Sequence, residues 1–304
     1  MEEIRSEPMQ TEAAHSSAMG LDTRPDAEIL RILLDGQVAA LGAVAGAIPA
    51  LAEAAGLMAE AMRGEGRLIY AAAGSSALMG NADGMELAGT FGIAPDRVRL
   101  CMAGGLPRDA EMPGGTEDDA GQARRDAAAV GAGDVVIAVT ASGRTPYAVQ
   151  FAEIARAAGA RTVCIANNPG AAIFAHADVA VCLATPPEVI AGSTRMGAGT
   201  AQKAALNMMS TLMGIRLGHV HDGMMVNLRA DNEKLRGRAA RIVARIAEVG
   251  EDAAVAALDQ SDGSVKLAVL RLAGARDPAT LLARHGGHLR AALDDIETPA
   301  QAGP

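Results

Sequence analysis

The sequence predicts an α/β fold: a central parallel sheet flanked by helices, followed by a small helical module. Two observations carry this. Five short apolar runs bounded by turn residues read as buried strands, at 67–73, 97–103, 134–141, 161–167 and 179–183. Helix-like segments lie between several of them, notably from Tyr147 to Ala158. Buried strands that alternate with helices imply a parallel sheet covered on both faces.

Taken in order, residues 1–25 are polar and read as a loosely ordered arm. From Asp26 to Met62 the apolar spacing is helical, and Pro49 is expected to divide it into two helices and no apolar run reads as long enough to span a membrane. "RLIYAAA" is the first strand and ends in Gly-Ser-Ser; "RVRLCMA", "DVVIAVTA", "RTVCIAN" and "VAVCL" are the next four. After Glu188 a long helical stretch runs to about Leu217, and another helix from Asn232 to Val249. The tail from Glu251 to Leu293 reads as three short helices broken at "QSDGS", "GARDP" and "HGG". The expected division is an arm at 1–25, a main domain at 26–249, a helical module at 250–296 and a tail at 297–304.

Composition narrows the function. The chain has 304 residues, half of them hydrophobic, which suits one large domain with a small appendage. Aromatics make up 2% and Trp is absent, so the core must be built from Ala, Val, Leu, Ile and Met, and base-stacking platforms are nearly lacking. The net charge of -9 argues against a nucleic-acid partner, and any anionic ligand must be held by local features. The three cysteines, Cys101, Cys164 and Cys182, have no paired spacing and read as buried reduced thiols of a cytosolic protein. The acidic, polar N-terminus does not read as a signal peptide.

In parallel sheets ligands bind beyond the carboxyl ends of the strands. "ASGRTPY" (141–147) directly follows the third strand. Ser142 and Thr145 offer hydroxyls, Gly143 permits a tight turn, Thr145 is the expected N-cap and Pro146 suits the first helical position. "GSS" (74–76) repeats this logic with Ser75 and Ser76 after the first strand. Hydroxyls with backbone N–H groups at a helix start make an anion site, so two such turns on one sheet point to phosphate.

The acids allow two readings. Glu86 stands among small and apolar neighbours, and Glu117, Asp118 and Asp119 form "TEDD". They suit a solvated helix face and a helix N-terminus. Two carboxylates near a phosphate also suit a general acid and base. Local sequence leaves both open. His219 and His221 make a metal pair only if they lie on a strand, and without a third ligand they read as surface or packing residues. His285 and His288 flank "GG" and read as helix-cap residues, and the Met-rich run 207–213 reads as core.

The ordered set "GEGRLIYAAAGSS", "AGG", "TEDD", "ASGRTPY", "NNPG", "PEVIAGSTRMGAGTAQKAALNMMST" and "NEKLRGRA" resembles the bacterial N-acetylmuramic acid 6-phosphate etherases. The likeness runs from "TEAAHSS" near the start into "GSVKLAVLRLAG" and "GGHLRAAL" in the tail. It implies a sugar isomerase (SIS) type three-layer sandwich, a homodimer with sites at the subunit interface, a cytoplasmic role in peptidoglycan recycling, and no metal or organic cofactor. It implies cleavage of a lactyl ether on a phosphorylated amino sugar, giving N-acetylglucosamine 6-phosphate and D-lactate. It makes Glu86 the acid that protonates the lactyl oxygen, and Glu117 the second acid and base, with Asp118 a rival. It assigns the phosphate to Ser75, Ser76, Ser142 and Thr145, and places Glu188, Ser193 and Lys203 along the sugar. Four departures stand out: Ala77-Leu78 in place of Gly-Arg, Leu87-Ala88-Gly89 in place of Cys-Pro-Pro, Gly197 in place of Lys, and Asn227 in place of Asp. They keep two alternatives open: a non-catalytic phosphosugar-binding regulator, and an aldose–ketose isomerase acting on an amino-sugar phosphate.

Overall fold

The structure, a computed structural model, describes residues 9–112, 115–230 and 232–297. Its centre is a five-stranded sheet of β1 (Leu68–Ala72), β2 (Val98–Met102), β3 (Val135–Thr140), β4 (Arg161–Ala166) and β5 (Val179–Cys182). The order is β2-β1-β3-β4-β5 and every neighbouring pair is parallel. All residues of β1 and β3 are buried, which explains why these strands read as unbroken apolar runs. The chain leaves β1 toward β2 on one side and returns to β3 on the other. This makes the carboxyl ends of β1 and β3 a topological switch point, the place where such sheets bind ligands.

Helices follow the strands. α1 (Asp26–Gly42) and α2 (Ile48–Arg63) precede β1, α3 (Gly74–Phe91) follows it, and α4 (Ala120–Ala127) comes before β3. α5 (Pro146–Ala157) follows β3, and α6 (Gly197–Arg216) comes after β5. The stretch divides at Pro49 as expected: the helix tightens into a 3-10 segment at Ala43–Ala47, and Pro49 sits in the first turn of α2, where its missing N–H leaves no bond unmade. The expectation that no apolar run is long enough to span a membrane is corrected. Helical backbone persists from Asp26 to Arg63, 38 residues with a mean hydropathy of 1.7, long and apolar enough by length and composition to cross a membrane. A helix that covers a sheet passes the same test, and α2 lies against β1, β3 and β5 and buries Leu51, Ala54, Ala55, Met58 and Ala59.

The arm is better ordered than its polarity suggests. Residues 9–25 hold two 3-10 turns, and Thr11 is buried against Asn168. α6 starts later than the sequence suggested. Residues 188–196 form turns, because Glu188 reaches forward to cap α6 from outside the helix.

By their contacts, the described residues up to Gly84 and from Asp96 to Ser210 form one compact unit, and Met85–Pro95 with the residues from Thr211 onward form a second. In the first, a buried polar cluster ties α3 to β1 and α6. Asp83 accepts bonds from Tyr70 Oη (2.7 Å), Asn207 Nδ2 (2.7 Å) and Ser210 Oγ (2.8 Å). With the Asp83 carboxylate as acceptor, burial pushes the Tyr70 hydroxyl well above its usual range. The second unit carries a short antiparallel pair, β6 (Val220–His221) and β7 (Met224–Met225), then α7 (Glu233–Ala247), α8 (Glu251–Asp259), α9 (Val265–Leu272), α10 (Pro278–Arg284) and α11 (Leu289–Glu297). The tail therefore holds four helices rather than three, since the "HGG" break separates α10 from α11. Its core is small and aliphatic, and Lys266 is buried in it, donating to the Gly287 carbonyl at 2.9 Å. Burial pushes that amine down to about 8.

Candidate active site

The first loop begins at β1. Gly74 has φ +53, opens α3, and is followed at once by Ser75 and by Ser76, which is 8% exposed. Neither hydroxyl makes a hydrogen bond among the described residues. Both therefore stand at the helix start with the unpaired first-turn N–H groups of α3, the arrangement that favours an anion.

In the second loop the hydroxyls are already engaged. Thr140, the last residue of β3 and 2% exposed, shares hydrogen bonds with Thr145 Oγ1 (2.8 Å) and Ser142 Oγ (3.4 Å) and accepts from the Gly143 N–H (3.2 Å). Ser142 Oγ also accepts from the Arg144 N–H at 3.2 Å. Thr145 occupies the N-cap position of α5 as expected, yet its hydroxyl turns to Thr140 and makes no capping bond. Gly143 has φ +75, and a β-carbon there would collide with Ala171 Cβ, so only glycine fits.

Between these loops stands Glu117. Its carbonyl accepts from the Tyr147 N–H at 3.0 Å, in the first turn of α5. Its carboxylate lies over Gly74: a β-carbon placed on that glycine would be 2.5 Å from Glu117 Oε1. One residue thus joins the starts of α3 and α5. Asp118 is exposed beside it, and Asp119 is the N-cap of α4, accepting from the Gln122 N–H at 2.8 Å. That backbone bond, with help from Arg125, holds the Asp119 carboxyl below the usual carboxylate range. Helix capping therefore describes Asp119, while Glu117 points to the loops.

The other candidates are placed as follows. Glu86 is exposed on α3, ten residues beyond Ser76 in sequence, and belongs to the second unit. Glu188 is 5% exposed and accepts from the Gly197 N–H (2.9 Å) and the Ala198 N–H (2.8 Å), capping the start of α6. Ser193 lies in the turns before α6, its carbonyl accepting from the Met196 N–H, and Lys203 is exposed on α6. The departure at Gly197 has a steric basis: a β-carbon there would meet Ala40 Cβ at 2.9 Å and Glu188 Oε2 at 3.0 Å. Ala77 is buried and Leu78 is exposed.

Sequence reasoning missed Thr140, Asn168 and Thr11 as site-forming residues. Asn168 bridges the Ala141 carbonyl (3.0 Å) and Thr11 Oγ1 (3.1 Å), and its neighbour Asn167 accepts from Gln202 Nε2 at 2.8 Å. "NNPG" was visible as a motif, but nothing in it pointed to the arm.

All three cysteines are free thiols. Burial pushes Cys101 up to about 11 and Cys164 up to about 12, which keeps both protonated and unreactive. Among the described residues no three His, Cys, Asp or Glu side chains gather as a metal site. His221 lies on β6 and His219 does not, and burial pushes His219 down to about 4. His285 is the C-cap of α10 and pairs with Asp295 at 2.9 Å.

A model of the SIS domain matches residues 117–212. Over almost its whole length the chain is similar to curated enzymes of one kind. It is 43% identical to the N-acetylmuramic acid 6-phosphate etherase of Deinococcus radiodurans, over 96% of this chain and 97% of the relative. It is 45% identical to the enzyme of the same name from Symbiobacterium thermophilum, over 86% of this chain and 88% of the relative. Among solved structures it resembles a candidate phosphosugar isomerase involved in capsule formation from Bacteroides fragilis. The TM-score is 0.51 at 17% identity, over 66% of this chain and 95% of that one, a likeness of fold alone.

Proposed function

The chain belongs to the N-acetylmuramic acid 6-phosphate etherase family, and on that premise we propose that it cleaves the D-lactyl ether of N-acetylmuramic acid 6-phosphate. The products are N-acetylglucosamine 6-phosphate and D-lactate, and the reaction serves cytoplasmic recycling of cell-wall amino sugars. The observation that carries the site assignment is the Glu117 carboxylate over Gly74, next to the first turns of both α3 and α5.

With the sugar ring open, the C2 proton lies beside an aldehyde and is acidic enough for a carboxylate to remove. The phosphate is held by Ser75 and Ser76 on one loop and by Ser142 and Thr145 on the other. Glu117 takes the C2 proton, and Asp118 is the competing base. The lactyl oxygen on C3 is a poor leaving group and needs a proton, which Glu86 supplies. The C3–O bond breaks as the C2–C3 double bond forms, and water then adds at C3 while a proton returns to C2. One carboxylate must be ionised and the other protonated at the start, so the two must sit in different environments. Glu188 sets the start of α6, and Ser193 and Lys203 flank the sugar.

The same reading makes the protein a homodimer with its sites at the subunit interface. Support comes from α1, where Leu30, Leu34, Val38 and Leu41 recur at helical spacing and are 66%, 53%, 60% and 46% exposed. An apolar stripe of this kind marks an association surface. Leu34→Glu is expected to halve the mass measured by sedimentation; an unchanged monomeric mass in the parent chain would remove this part.

Release of D-lactate from N-acetylmuramic acid 6-phosphate tests the function. Glu86→Gln is expected to lower kcat by about 10²–10⁴ while phosphosugar binding persists. The exposed Leu78, in place of the family's arginine, favours one other outcome. Thermal stabilisation by the sugar phosphate with no lactate released would make the protein a phosphosugar-binding regulator. A ketose product without lactate would make it an isomerase.

A further inference from the structure

The mechanism leaves one segment unused, although it is tied to the loops after β3 and β4 and to the turn at Gly192. Thr11 is polar yet only 1% exposed. Its N–H donates to Asn168 Oδ1 (3.4 Å), its hydroxyl accepts from Asn168 Nδ2 (3.1 Å), and its carbonyl accepts from the Gly192 N–H (3.2 Å). Asn168 in turn donates to the Ala141 carbonyl, one residue before Ser142. A single arm residue therefore fixes the loops after β3 and β4 and the turn that carries Ser193. Burying this many polar groups is worthwhile only when each is paired, as here.

The residues on either side of this anchor reach two of the segments it ties together. Met9 and Gln10 line a cavity of about 160 Å³ together with Ser142, Arg144, Asn168 and Ala171. Glu12 points the other way, to Gly192, where a β-carbon would lie 3.3 Å from Glu12 Oε2. Gly192 has φ +73 and leaves the carboxylate room beside Ser193. The Glu12 carboxylate is exposed and makes no hydrogen bond or ion pair among the described residues. A carboxylate repels a phosphate and accepts hydrogen bonds from hydroxyl and amide N–H groups.

We propose that Glu12, held by the Thr11 anchor, is a specificity-determining carboxylate that accepts hydrogen bonds from the hydroxyl and acetamido N–H groups of the sugar. This rests on the phosphosugar reading above, and it makes Glu12 a substrate-positioning residue, not a proton-transfer residue.

Calorimetric titration of the full-length chain with N-acetylglucosamine 6-phosphate and, separately, with inorganic phosphate tests it without needing turnover. Glu12→Ala is expected to weaken the sugar phosphate about tenfold or more and to leave inorganic phosphate within about twofold, because hydrogen bonds to a charged acceptor are worth that much. In the lactate assay the same variant raises KM by more than it lowers kcat. Thr11→Val is expected to weaken both ligands and lower Tm, and Thr11→Ser to restore both. Equal affinities of Glu12→Ala and the parent for the sugar phosphate would overturn the proposal, as would an equal loss for both ligands. If the parent binds the sugar phosphate but releases no lactate, the reaction fails; the ratio of the two affinities in Glu12→Ala still decides the role of Glu12.

Discussion

The loops after β1 and β3 look alike in sequence and are built differently. In the first, Ser75 and Ser76 are uncommitted and the glycine gives way to a carboxylate. In the second, Thr140 binds Ser142, Gly143 and Thr145 into a network, and the glycine gives way to backbone packing at Ala171. The difference teaches a division of labour. The second loop is a preformed rigid wall whose polar groups are satisfied without a ligand. The first presents free donors, with Glu117 alongside. Preorganised donors cost little reorganisation when charge develops, whereas free ones gain the most when the anion arrives.

The two glycines give the largest expected contrast. Gly143→Ala forces a side chain into a left-handed backbone and into Ala171, and is expected to cost about 2 kcal/mol or more in stability and to abolish sugar-phosphate binding. Gly74→Ala meets only the mobile end of Glu117 and the cost of the left-handed backbone, so it is expected to lose activity far out of proportion to stability. Thermal unfolding and kcat measured side by side separate the two; equal loss of stability in both would break the comparison.

Removal of hydroxyls gives a smaller effect in the same direction. Thr140→Val leaves the Gly143 N–H and the Thr145 hydroxyl without their buried partner and is expected to cost about 1–3 kcal/mol in stability. Ser76→Ala is expected to leave Tm unchanged and to weaken inorganic phosphate roughly tenfold in calorimetric titration. Ser142→Ala is expected to fall between the two on both measurements, because its hydroxyl serves both network and ligand. A Tm loss for Ser76→Ala as large as that for Thr140→Val would show the first loop to be as pre-formed as the second.

The sheet was legible in the sequence because β1 and β3 are buried along their whole length and the strands beside them stay mostly apolar, and each of the five lies within its expected run. The loops were legible for a local reason as well: hydroxyls and glycine must follow the strand directly to reach an anion. What the sequence hid are bonds between residues distant along the chain. Glu117 belongs to "TEDD", which reads as a helix cap; Asp119 takes that role and frees Glu117 for Gly74. Glu188 read as the edge of a helix, but it caps α6 across the turns of residues 189–196. Thr11 read as part of a loose arm because its partners, Asn168 and Gly192, lie at the other end of the first unit's sequence. Short-range pattern registers burial and turns, and it carries no record of which buried polar groups pair.

The central claim is elimination followed by addition of water, and isotope placement in the sugar product tests it most directly. Cleavage of N-acetylmuramic acid 6-phosphate in deuterated, oxygen-18 water is predicted to give N-acetylglucosamine 6-phosphate carrying deuterium at C2 and oxygen-18 at C3. A product that keeps the substrate's hydrogen at C2 and its ether oxygen at C3 would contradict the account.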